Sequence, residues 1–146
     1  MLALFVACAA PPAAPRPPPP TPLEDVAVGA FDEKLRELGY RVDAAAAPTH
    51  GRAVTAARDG ATWYLALDAQ SSTAPEGPKV LVRVSVFREP GRTLRGEVAP
   101  YAIAQGSPSS AEVSAALARA VAERAASQFA ENFRPSEVGE DSERDR

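Results

Sequence analysis

Few side chains in this chain are equipped for chemistry, and their spacing keeps most of them apart. Cys8 is the only thiol and His50 the only imidazole. Cys8 stands in the leader and His50 in a polar Pro-Thr-His-Gly segment. They read as a leader thiol and a solvated loop residue rather than as a nucleophile and its base. Ser107, Ser109 and Ser110 surround a helix start, where capping accounts for their hydroxyls without nucleophilic catalysis. Asp32, Glu33 and Glu37 have the residue types of a paired-carboxylate site, but their positions read as exposed helix charge. Gly91, Gly96 and Gly106 are too scattered to form a phosphate-binding loop. One cysteine excludes an internal disulfide framework, and one histidine argues against a zinc site. No catalytic residue, metal or cofactor is expected.

The residues left with a candidate role are Cys8 and a group suited to binding. Leu4-Phe5-Val6-Ala7-Cys8 resembles the lipobox of a bacterial lipoprotein signal, with Phe5 where leucine is usual. Only seven residues precede Cys8, and no Lys or Arg occurs before Arg16. Residues 1–8 therefore read as the truncated tail of a signal peptide, with Cys8 as the acylation site. Residues 9–22 hold eight of the fifteen prolines. Proline fixes φ and lacks an N–H, which predicts an extended polyproline II spacer reaching at most ~43 Å.

The chain has 146 residues with 45% hydrophobic and 6% aromatic content, enough for one domain with a modest core. Its net charge of −3 argues against nucleic acid as a partner. No stretch reaches the roughly 18–20 apolar residues of a membrane-spanning helix.

Residues 23–134 read as a single domain. Thr21-Pro22-Leu23-Glu24 predicts a capping box with proline at the first helical position. Val26, Ala27, Ala30, Phe31, Leu35 and Leu38 recur at helical spacing up to Gly39, a left-handed stop. Tyr40 to Asp43 predicts a short strand. Ala44 to Gly51 fits neither helix nor strand cleanly. Arg52 to Arg58 is expected as a brief helix closed by Asp59-Gly60. Thr62 to Asp68 alternates as a strand, with Trp63, Leu65 and Leu67 on one face. Gln70 to Pro78 is expected as a loop.

Lys79 to Arg88 carries the strongest strand pattern, with Val80, Val82, Val84 and Val86 on one face. Pro90-Gly91 turns it into a partner strand from Thr93 to Ala99. A two-residue turn would set Val84 against Glu97 and Val86 against Arg95. A one-residue shift pairs Val84 with Val98 and Val86 with Gly96, and sets Arg83 diagonal to Glu97. Since a slip exchanges the faces, a three-residue loop or bulge is predicted at Pro90-Gly91-Arg92. Pro100 to Pro108 reads as a linker. Ser109-Ser110-Ala111-Glu112 offers a second capping box before a long helix carrying Val113, Leu117, Ala120, Val121, Ala125, Phe129 and Phe133. Residues 135–146, rich in alternating charge, are expected to be disordered.

The expected fold is α/β (α+β): a mixed sheet of about four strands with a hairpin, packed by an N-terminal and a long C-terminal helix. Arg83, Arg88, Arg92 and Arg95 gather on the hairpin, either as solubilising edge charge or as a docking surface for an acidic partner. Tyr64 and Phe87 share the outer face, as a helix-packing surface or as part of a partner patch.

Leu35 to Val42 resembles the helix-to-strand turn of small envelope domains of the curli-secretion and penicillin-binding-protein-activator lipoprotein type. The amino-terminal domain of the Tol-system translocation protein is similar in layout. Ala57 to Leu65 is similar to their short helix, turn and second strand, and Val82 to Val98 to their hairpin. The chain has no long strand before its first helix, so strand order stays open. The resemblance implies a domain that binds protein partners or assembles, with no reaction. The leader and the resemblance together lead to one expectation: a lipoprotein held to the bilayer through acylated Cys8, facing the periplasm and serving an envelope protein partner. A soluble cytoplasmic domain and a small envelope hydrolase are the alternatives.

Overall fold

The computed structural model describes residues 22–47 and 51–134. The elements run α1 (Leu23–Glu37), β1 (Arg41–Ala45), β2 (Arg52–Arg58), β3 (Ala61–Ala74), β4 (Gly77–Glu89), β5 (Thr93–Val98), β6 (Tyr101–Ile103) and α2 (Ala111–Asn132). The class is α+β. Six strands form one sheet, more than the four expected, and its pairings are antiparallel rather than mixed. The order β1-β2-β3-β4-β5 follows the chain, and β6 pairs with β4 beside β5. The leader, most of the proline-rich segment, His50 and residues 135–146 lie outside the described residues.

Short reversals account for this simple order. Asp59 and Gly60 have φ of 51° and 80°, the left-handed pair that matches hairpin twist, and they join β2 to β3. That turn commits Arg52–Arg58 to a strand, which corrects the helix expected there and removes the short helix from the resemblance. Alanine favours helices only weakly against tertiary pairing, and β2 is paired on both sides. Gln70 to Pro78 is likewise not a loop. β3 and β4 continue as a ribbon to Ala74↔Gly77, with Pro75 and Glu76 at the turn. Pro78 fits because its carbonyl accepts from Ala104 on the β6 side, so its missing N–H falls outside the β3 ladder.

The hairpin register beyond the bulge is the shifted one, Val84↔Val98 and Val86↔Gly96. Nearer the turn, Phe87 pairs with Leu94 and Arg88 with Thr93, so the extra residue is Arg95 rather than one in the turn. Gly96 follows with φ of 155°, and the Phe133 ring closes over it. The expected linker contains β6, whose pairing Lys79↔Ile103 keeps the same register after the break at Ala99-Pro100.

Helix ends depart from expectation by one residue. Pro22 occupies the N-cap of α1 with no side-chain cap, and its carbonyl accepts from Asp25 and Val26. The expected cap, Thr21, lies outside the described residues. At the other end Gly39 takes φ of 94°, while Tyr40 N–H donates to the Leu35 carbonyl. Ser110, one position after Ser109, caps α2 by accepting from the Val113 N–H at 3.1 Å.

Both helices lie on one face of the sheet. Phe31 and Leu35 of α1 and Val121 and Phe129 of α2 join Val54, Trp63, Leu65 and the valines of β4 in one buried cluster. Phe129 sits at its aromatic centre, 5.5 Å from the Tyr40 ring and 5.7 Å edge-on to Trp63. Burial raises the Tyr40 phenol pKa above its ordinary 10.0, and the Arg58 guanidinium over the ring opposes the shift.

Two outcomes follow from this packing. Gly96→Ala places a methyl 2.9 Å from Phe133 Cζ on a backbone that side chains rarely adopt. It is expected to cost about 1–3 kcal/mol of stability, read as a lower urea midpoint. For Tyr40, the unfolded phenol loses its proton before the folded one, so its contribution to stability is complete below pH 10 and is lost above it. Alkaline melts should therefore show Tyr40→Phe losing less stability than the parent between neutral pH and the range above 10.

Candidate interaction surface

The opposite face of the sheet has no helix over it among the described residues. Side chains alternate across a strand, so the valines of β4 point to the helices and Leu81, Arg83, Ser85 and Phe87 point away. The pairings place Tyr64, Ala66 and Asp68 of β3, Leu94 and Glu97 of β5, and Tyr101 of β6 on this outer face.

Tyr64 and Phe87 do meet there, with ring centroids 5.7 Å apart. No helix among the described residues covers them. Tyr64 is only 5% exposed because the Arg92 guanidinium lies 3.8 Å over its ring and its hydroxyl donates to the Ala46 carbonyl at 2.7 Å. The outer face has therefore built a small covered site of its own from the hairpin tip and the segment after β1.

The four hairpin arginines do not converge. Arg83 lies 3.4 Å from Glu97, the diagonal partner anticipated from the register, and Arg92 lies 3.3 Å from Glu89. These two hairpin arginines are thus matched by carboxylates. Arg88 points to the helix side, 5.1 Å over the Trp63 ring, and donates to the Thr62 carbonyl. It lids a fully buried indole whose Nε1 has no hydrogen-bond partner among the described residues. Arg95 is the exposed bulge residue.

The exposed apolar groups are different residues. Leu94 is 62% and Tyr101 52% exposed, both on the outer face of the β5–β6 edge, with Lys79 Nζ 4.5 Å over the Tyr101 ring. Reading Pro100 to Pro108 as a linker hid Tyr101, although alternation resumes directly after Pro100. Beside this edge, on the helix side, a groove runs along α2 past Arg124, Gln128 and Asn132.

The catalytic candidates are occupied otherwise or lie elsewhere. Asp32 accepts from Arg36, Glu37 lies 3.8 Å from Lys34, and Ser110 serves as the α2 cap. Among the described residues, no cluster of His, Cys, Asp or Glu could hold a metal ion. Cys8 and His50 fall outside them.

Tyr64→Phe removes the hydroxyl tie to Ala46 while keeping the ring contacts. A loss of about 1 kcal/mol in chemical denaturation is expected. No family model, curated protein or solved structure matches this chain, so the surface is read from its own geometry.

Proposed function

We propose that this protein is a lipid-anchored lipoprotein of the bacterial envelope, acylated at Cys8, that acts as a non-catalytic interaction or assembly module for an envelope protein. The observation that carries the interaction half is the helix-free sheet face with exposed Leu94 and Tyr101. Leu94 stands opposite Phe87 and Tyr101 opposite Leu81, so each exposed side chain extends an apolar group of this face, as docking residues do. The anchoring half is supported by the Leu4 to Cys8 motif and the proline-rich segment that leads to α1. α1 packs on the other side of the sheet, so a tether joined at Pro22 enters the layer opposite the candidate surface. No helix among the described residues is long and apolar enough to cross a membrane, and attachment in this reading rests on acyl chains. The resemblance of the Leu35 to Val42 turn and the Val82 to Val98 segment to envelope lipoprotein domains supports the same reading.

Cell fractionation tests the anchor. The parent chain is expected in the membrane fraction and Cys8→Ala in the soluble fraction, with mass spectrometry finding the acyl mass on Cys8. A parent chain that is soluble and unmodified overturns the reading and returns the cytoplasmic alternative.

A further inference from the structure

The free edge of the sheet has an alternation that can be read residue by residue. Val82 N–H donates to the Pro100 carbonyl at 3.1 Å, so Pro100 turns its main-chain groups toward β4. Main-chain direction alternates along a strand, so Val98 and Ala102 also face β4, while Glu97, Ala99, Tyr101 and Ile103 face outward. Arg124 confirms the direction by donating to the Tyr101 carbonyl from α2 at 3.1 Å. A proline at an outward position would block an edge. Here Pro100 faces inward and the outward row is left able to pair, the Tyr101 carbonyl through its second lone pair beside Arg124.

The geometry points to a second copy of this chain as the occupant, joined edge to edge about a two-fold axis at Pro100 and normal to the sheet. This register opposes Glu97 to the partner's Ile103 and Ala99 to the partner's Tyr101. Every outward residue then meets another outward residue. Moving the axis to Ala99 sets Ile103 against the bulged Arg95, and moving it to Tyr101 sets Glu97 against Gln105 in a turn. Pro100 meets its own copy at a position with no cross-strand hydrogen bond, so its missing N–H costs nothing in the new seam.

Side chains on both faces suit the same axis. On the outer face the two exposed Tyr101 rings become diagonal neighbours, within reach across a strand pair. Glu97 falls in the same cross-strand row as the partner's Ile103 and the partner's Lys79, which supplies charge complementarity. On the helix face Arg124, Gln128 and Asn132 are spaced one helical turn apart along the groove. Arg124 is level with Tyr101 and Phe133 with Gly96, so Gln128 falls near the axis. Among the strands α2 packs mainly on β4, and the two β4 strands would be separated by three strand spacings, roughly 14 Å. Long polar side chains can bridge that gap. The dimer rests on the fold alone and does not require the Cys8 reading.

The test uses the full chain carrying Cys8→Ser. Sedimentation is expected to show twice the 15.3 kDa chain mass. Under mild oxidation Pro100→Cys should form a disulfide between copies, because the paired Cα atoms would lie about 4.5 Å apart. Glu97→Cys should not, because its two copies would be roughly 20 Å apart. Gln128→Glu faces like charges across the axis and should weaken association about tenfold while the far-UV circular dichroism of the folded chain stays unchanged. A chain that stays monomeric at about 100 μM overturns the proposal. So does cross-linking that favours position 97, or an edge that pairs only with a different protein.

Discussion

The pairing of β3 with β4 is the interaction on which the rest of this structure depends. It runs from Thr62↔Glu89 to Ala74↔Gly77 without a break in register. It fixes the face toward which Trp63, Leu65 and Leu67 point together with Val80 to Val86, and that face receives both helices. A slip of one residue would exchange those side chains for Tyr64, Ala66, Arg83 and Ser85. The helices would then meet charge instead of valine. β5 and β6 also take their register from β4, and the Arg95 bulge lets the hairpin keep a tight turn while restoring valine to the core side.

The same constraint explains the inequality of the two faces. Apart from Tyr64, the large buried apolar groups lie on the helix side, while the outer face manages its exposed surface in other ways. It sets Arg83 against Glu97 and Arg41 against Asp43, and covers Tyr64 with Arg92. These exposed ion pairs contribute little stability individually. They hydrate a sheet face that no described helix covers, and they leave Leu94 and Tyr101 as its exposed large apolar groups.

The elements legible in the sequence were those whose period was carried by large side chains. Four valines two apart announced β4, and Phe31, Leu35, Val121 and Phe129 announced the helices. Even the register could be argued, because charge on the valine face would be costly. β2 was hidden because its core residues include Ala56, a residue compatible with either period. The far half of β3–β4 was hidden because main-chain pairing, not side chains, holds Ser71 to Thr73. β6 is three residues long and follows a proline. For the surface, Tyr64 and Phe87 could be paired from alternation alone. Arg88 was grouped with the wrong arginines although it continues the even-numbered series of the valines, and that parity places it over Trp63.

The seam between β4 and the β5–β6 edge shows how two prolines shape a sheet margin. Pro78 and Pro100 both turn their ring nitrogens into this seam, where each offers a carbonyl, to Ala104 and Val82 respectively. Neither can return a donor, so the Val82 and Ala104 carbonyls each lack the reciprocal bond that an antiparallel ladder would supply. β6 is thus held by a thinner ladder than any strand before it. Its attachment is completed from outside the sheet, by Arg124 on the Tyr101 carbonyl and by Lys79 over the Tyr101 ring. A margin weakened on its inner side but regular on its outer side stands to gain more from a neighbouring strand than β1 at the far edge. At that far edge β1 makes an uninterrupted five-residue register with β2.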